Sequence, residues 1–131
     1  MITAYVAENS DTYREALRRI LDSIAGIRVA GESANGRDAL QQIRLLRPDI
    51  VIMEFTMPDL SGVEVVRLMR GEYISSIVMM IADRDHPTYR EAAIVAGADY
   101  FLDKFFESQK IGPILENLVH VMSDANEQIS H

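Results

Sequence analysis

Cysteine is absent from all 131 residues, which excludes disulfides, thiolate metal sites and thiol nucleophiles and accords with a reducing compartment. Basic residues are in deficit. Thirteen Lys and Arg against 20 Asp and Glu leave a net charge of -7 and a pI near 4.9. That balance excludes nucleic-acid binding by this chain, because affinity for a phosphate backbone needs clustered cations. No apolar run approaches the roughly 20 residues of a membrane-spanning helix, and no charged-then-apolar leader opens the sequence. A cytoplasmic protein with no membrane partner is therefore expected. Repeats, linkers and low-complexity stretches are missing as well. The expectation is one domain over residues 1–123, followed by a frayed polar tail at 124–131.

What is present is a strand-then-helix pattern, repeated five times. Ile2 to Ala7 is a short apolar β-favouring run. Asp11 or Thr12 then caps a helix, with Thr12 and Glu15 at capping-box spacing, and Tyr13, Leu17, Ile20, Leu21 and Ile24 recur on one helical face. Ile27 to Gly31 is a weak second strand, and Asn35-Gly36 opens a helix that stops before Pro48. Ile50 to Met53 is an unbroken apolar run of the kind buried on both faces of a parallel sheet. A helix follows Gly62, and Ile77 to Ala82 is a fourth strand. Thr88 and Glu91 have capping-box spacing ahead of a helix that ends at Gly97. Tyr100 to Leu102 is a fifth strand, and Ile111, Ile114, Leu115, Leu118 and Met122 mark the last helix, with Pro113 in its first turn. Alternating strands and helices in this length predict an α/β fold, a parallel sheet covered on both faces.

In such a sheet the functional groups gather beyond the carboxyl ends of the strands. That rule collects Glu8 and Asn9 after the first strand, Glu54 after the third, Ile81-Ala82-Asp83 after the fourth and Lys104 after the fifth. Two carboxylates, an amide and an ammonium can form a site; the apolar Ile81 is out of keeping with it. His86 and His120 have no companions at metal-ligand spacing, and Ser10, Asp11 and Thr12 have no partner for nucleophilic catalysis, so no enzyme activity is expected.

The stretch from Arg47 to Gly62, RPDIVIMEFTMPDLSG, resembles the phospho-acceptor segment of bacterial response-regulator receiver domains, P-D, three or four apolar residues, D-x-x-M-P-x-x-x-G. The likeness extends from about Ile2 to Met122. It implies a flavodoxin-like, doubly wound five-stranded sheet of order 2-1-3-4-5 with five helices. It also implies roles. Glu54 stands where the acceptor Asp is usual; Glu8 and Asn9 stand at the acidic pair that holds Mg²⁺. Ile81 falls at the hydroxyl that clamps a phosphoryl oxygen, Lys104 at the clamping lysine and Phe101 at the switch aromatic. The partners implied are a histidine kinase, a transcription-regulator output domain or a second copy. The face implied is that of the fourth helix, fifth strand and fifth helix: Tyr89-Arg90-Glu91, Tyr100-Phe101-Leu102 and Ile111 to Met122.

Each departure from the family pattern has a physical consequence. Asn9 removes a full charge from a site whose pull on Mg²⁺ is mainly charge. Glu54 carries its oxygens about 1.5 Å further out than Asp would, and a misplacement of about 1 Å can cost ~10²-fold in phosphoryl transfer. Ile81 has no hydroxyl. One such change alone would fit a phosphomimic; three together fit a receiver that works without phosphorylation, needing no cofactor and holding Mg²⁺ weakly at most. Two alternatives stay open: phosphorylation on Glu54, and a regulatory domain preceding a helix-turn-helix transcription factor. The bland expectation for Glu54 is a pairing with Lys104. Phe101 is expected to pack inward, and one of Phe105 and Phe106 to face the core. The family usually has a cis proline after the lysine; with Phe105 there, a trans Lys104–Phe105 bond is expected, since a cis bond before a non-proline residue costs about 2.5–4 kcal/mol.

Overall fold

In the computed structural model, five parallel strands stand in the order β2-β1-β3-β4-β5, in agreement with the expected topology. They are β1 (Ile2–Ala7), β2 (Ile27–Ser33), β3 (Ile50–Glu54), β4 (Ile77–Ala82) and β5 (Tyr100–Asp103). The helices are α1 (Asp11–Asp22), α2 (Gly36–Leu46), α3 (Gly62–Gly71), α4 (Pro87–Ala96) and α5 (Ile111–Ile129), the last preceded by a 3₁₀ turn at Ser108–Lys110. The structure describes residues 1–84 and 86–129, with side chains described as far as residue 125.

Side chains alternate across the strands and build two cores. Ile2, Ala4, Val6, Ile50, Ile52, Met79, Ile81 and Leu102 pack with Leu17 and Leu21 of α1 and Ile111 and Leu115 of α5. Tyr5, Ala7, Val51, Met53, Val78, Met80, Ala82 and Phe101 face the opposite way, onto Ile43 of α2, Val66 and Met69 of α3 and Ala93 of α4. The three central strands are buried on both faces, and their unbroken apolar runs follow from that.

Several local expectations need correction. The α1 cap is Ser10, whose hydroxyl accepts from the Tyr13 N–H, rather than Asp11 or Thr12. The α4 cap is His86: Pro87 occupies the first helical position, and the His86 Nδ1 accepts from the Thr88 N–H at 3.1 Å, so Thr88 lies inside the helix. The chain after residue 123 continues α5 to Ile129, because no Gly or Pro follows Pro113 to stop it; Ser130 and His131 lie outside the described residues. Neither Phe105 nor Phe106 enters the core: they are 69% and 81% exposed. Their N–H groups both donate to Asp103 Oδ1 at 2.8 Å, and that turn directs the rings outward. The Lys104–Phe105 bond is trans.

Candidate functional site

The sheet's hydrogen-bond ladder runs past the strand ends and fixes the site. Glu8 N–H donates to Ser33 O, Phe55 N–H to Ile81 O and Lys104 N–H to Ala82 O, at 3.0, 2.8 and 2.7 Å. Arg14 on the first turn of α1 holds the Glu8 carbonyl through Nη1 at 2.8 Å. Behind Glu54 the chain turns on Gly62. A Cβ there would lie 2.1 Å from the Glu54 carbonyl oxygen, so only glycine lets the loop close against the strand.

Three charged side chains converge inside this frame. Lys104 Nζ lies 3.1 Å from Glu54 Oε1 and forms an ion pair with Glu8 Oε1. Glu54 Oε2 accepts from the Asn9 N–H at 2.9 Å. Glu8 is wholly buried, and Glu54 and Lys104 are each only 8% exposed. The ring of Tyr13 covers the ammonium, with Nζ 4.5 Å from its centroid, and its hydroxyl donates to the Lys104 carbonyl at 3.4 Å. The expected Glu54–Lys104 pair is present in this geometry.

The two carboxyls differ in state. Burial, together with the neighbouring Glu54 carboxyl, pushes the Glu8 carboxyl up to about 8 against the pull of Lys104. Burial also acts to raise Glu54, but the neighbouring Glu8 carboxyl and the hydrogen bonds from the Asn9 N–H and Lys104 outweigh it and hold Glu54 below the usual carboxylate range. Burial acts to lower Lys104, and its contacts with Glu8 and Glu54 outweigh that and raise it. Glu54 and Lys104 face each other as opposite charges at 3.1 Å, with Glu8 against the same ammonium. One negative and one positive charge cancel inside a closed site, which avoids the cost of a buried unpaired ion.

The remaining candidates divide. Ile81 is fully buried beside Glu54 in the β3–β4 register and packs into the α1/α5 core. Asn9 enters the site only by its backbone N–H; the residue itself is exposed. Phe101 faces the other core, 4% exposed, as expected for a packing residue. Arg90 stacks on its ring at 4.9 Å, donates to its carbonyl at 3.2 Å and reaches Glu107 at 3.4 Å. Phe55, next to Glu54, lies between Tyr89 and Phe101 at 4.7 and 6.3 Å between ring centroids.

A divalent cation does not fit this donor set. Both carboxyls already face an ammonium, the outer oxygen of Glu54 is taken by a backbone N–H, and the Asn9 side chain is turned to solvent. Among the described residues no three His, Cys, Asp or Glu side chains are grouped to hold a metal. A weak Mg²⁺ at Glu8 and Asn9 would have to compete with Lys104 for the Glu8 carboxyl.

A family model for the response regulator receiver domain matches residues 4–116. The chain belongs to that family. It is 36% identical, over 108 residues, to a protein-glutamate methylesterase/protein-glutamine glutaminase of Alkalilimnicola ehrlichii, covering 80% of this chain and 27% of that protein. It is 28% identical to the response regulator UvrY of Escherichia coli, covering 99% of this chain and 62% of UvrY. The chain thus spans less than two thirds of the length of these relatives. Among solved structures, the response regulator domain of Thermotoga maritima CheB superposes with a TM-score of 0.80 at 24% identity, covering 92% of this chain and 94% of that one. Vibrio cholerae chemotaxis protein CheY4 superposes with a TM-score of 0.77 at 25% identity, covering 89% and 98%. The receiver fold and a place in two-component signalling follow. No helix among the described residues is long and apolar enough to cross a membrane.

Sequence reasoning did not find Tyr13's part in this site. The residue fits the amphipathic pattern of α1, and its contact with Lys104 joins positions 91 apart in the chain, which leaves no local signal. His86 as a cap and Arg90 on Phe101 were missed for a similar reason: each is set by backbone geometry that composition does not encode.

Proposed function

We propose that this chain is an atypical receiver acting as a phosphorylation-independent protein-interaction module of a two-component pathway, with Glu54 in place of the acceptor Asp. The observation that carries this reading is Lys104 Nζ, engaged at once by Glu54 at 3.1 Å and by Glu8. An incoming phosphoryl group needs that ammonium, an in-line carboxylate and a metal to neutralise developing charge. Here the ammonium is already committed to two carboxyls, and Ile81 offers no hydroxyl. The inward Phe101, pinned by Arg90 and wedged against Phe55, supports a single fixed state of the α4–β5 region. Rigid Glu54–Lys104 pairing makes that state permanent.

The partner surface is the face formed by α4, β5 and α5. Phe101 and Leu102 are too deeply buried to touch a partner, at 4% and 5% exposure. The contacts instead fall to Glu91, Val95 and Tyr100 and to the outer side of α5, including Val121. The occupants are an output domain of a transcription regulator, a histidine kinase or a second copy of this chain, all in the cytoplasm. Incubation with acetyl phosphate and Mg²⁺, read by intact mass, tests the chemical half of the proposal. An unmodified chain is expected. An adduct of one HPO₃, lost in Glu54→Ala, would establish Glu54 as an acceptor and overturn it.

A further inference from the structure

We propose that Lys104 Nζ is the resident cation of this site, enclosed by Glu8, Glu54 and the ring face of Tyr13, and that Tyr13 is the positioning residue that closes the site to divalent metal ions. The inference rests on the reading that the site has given up phosphotransfer, but it can fail alone. A chain that binds a divalent ion yet takes no phosphoryl group would overturn this inference and leave that reading standing.

An ammonium has three donors and no acceptor, and it suits a pocket of two carboxyls and a π face. That is the enclosure observed: an ion pair to Glu8, 3.1 Å to Glu54 Oε1 and 4.5 Å to the Tyr13 ring centroid. Tyr13 grips the lysine at both ends, its ring on the ammonium and its hydroxyl donating to the carbonyl at 3.4 Å. Ser10 fixes Tyr13 in turn, accepting the Tyr13 N–H at 3.2 Å as the cap of α1. The ammonium cannot swing outward past Tyr13 without leaving the ring face, while the hydroxyl bond to the backbone carbonyl keeps Tyr13 beside Lys104. A divalent ion shared by the carboxyls would lie within contact range of the ammonium, and like charges at such distances repel strongly in a site with little water. Mg²⁺ also requires near-octahedral oxygen ligands, and Asn9 contributes an N–H to Glu54 where a metal would want an oxygen. The ammonium supplies the positive charge that Glu54 needs, and no metal is called for.

Mn²⁺ serves as the probe, through its paramagnetic broadening of backbone amide signals in ¹⁵N spectra. In the wild-type chain the amides of Asn9, Phe55 and Lys104 are expected to broaden no more than exposed acidic positions such as Asp11. Lys104→Met removes the resident cation, and selective broadening of those three amides is expected at about thirtyfold lower Mn²⁺, the effect of deleting a unit charge about 4 Å from a divalent ion even at the dielectric of water. Tyr13→Leu and Tyr13→Phe keep Lys104 and separate the ring from the hydroxyl. The leucine variant is expected to bind Mn²⁺ a few-fold more tightly than wild type, in line with the loss of one cation–π contact, whereas the phenylalanine variant behaves as wild type. Selective broadening in the wild-type chain, at the concentration that broadens Lys104→Met, would overturn the proposal. If Lys104→Met does not fold, the Tyr13 pair decides: identical Mn²⁺ binding by the leucine and phenylalanine variants would equally overturn it.

Discussion

Lys104→Met tests the energetics of the site most severely. The substitution keeps the length and apolar stem of the side chain and deletes the ammonium 3.1 Å from Glu54 Oε1. Glu54, 8% exposed, is then a carboxylate with only the Asn9 N–H and the Glu8 carboxyl as partners. Removing one member of a buried ion pair costs about 3–5 kcal/mol, because the other charge stays buried without its counter-ion. An unfolding entropy of about 2.1 cal/mol/K per residue converts this into a fall in Tm of roughly 11–18 °C for a chain of this size. The further change Glu54→Gln removes the stranded charge, and the double variant is expected to recover more than half of the loss. Chemical denaturation at pH 7, followed by circular dichroism, measures both. A loss below about 1 kcal/mol for Lys104→Met is what an exposed pair gives, and it would refute a closed, buried cluster.

Glu8 sets the pH dependence. Its carboxyl is pushed up to about 8, so the folded chain retains a proton that the unfolded chain releases in the ordinary carboxylate range. Stability from this group is full below the unfolded value and is lost as pH rises toward 8. Glu54, held low, acts in the opposite sense and loses its contribution only as pH falls below the carboxylate range. Wild type should therefore lose on the order of 2 kcal/mol between about pH 6 and pH 8, whereas Glu8→Gln, neutral throughout, stays flat in thermal melts. Ile81→Thr should cost about 1–3 kcal/mol by denaturant titration, since a fully buried ethyl group is exchanged for a hydroxyl in an apolar core; an unchanged midpoint would mean that the site is more open than described. Replacing Val95, 79% exposed on α4, by Glu should leave stability within about 0.5 kcal/mol and abolish any dimer that wild type shows in light scattering. A wild-type monomer at high concentration would exclude a second copy as the partner.

The strands and the set of residues at the carboxyl edge were legible because hydrophobic runs and Gly/Pro punctuation encode them directly, whereas the strand order came from the resemblance to receiver domains. Ile50 to Met53 reads as a buried strand without any tertiary information, and a buried strand that ends at Glu54 brings its carboxylate to that edge. The caps were legible only as a choice among neighbours. Ser10, Asp11 and Thr12 are all good capping residues, and backbone conformation decided for Ser10. The outward rings of Phe105 and Phe106 ran against composition, which favours burial of aromatics; the Asp103 turn overrode it. The internal order of the site was the least legible. That Glu8 shares Lys104, that Glu54 splits its oxygens between an ammonium and a backbone N–H, and that Tyr13 covers the group all depend on contacts spanning 45 to 96 positions.

The central claim is that this receiver keeps the fold and has a site that no phosphoryl group enters. Its most direct test is the ¹⁵N–¹H spectrum of the chain with and without beryllium fluoride and Mg²⁺, an analogue of a carboxyl-bound phosphoryl group. The account predicts superimposable spectra at Glu54, Ala82 and Lys104 and across α4 and β5. Saturable shifts at those three residues that spread to Tyr89 and Phe101 would contradict it.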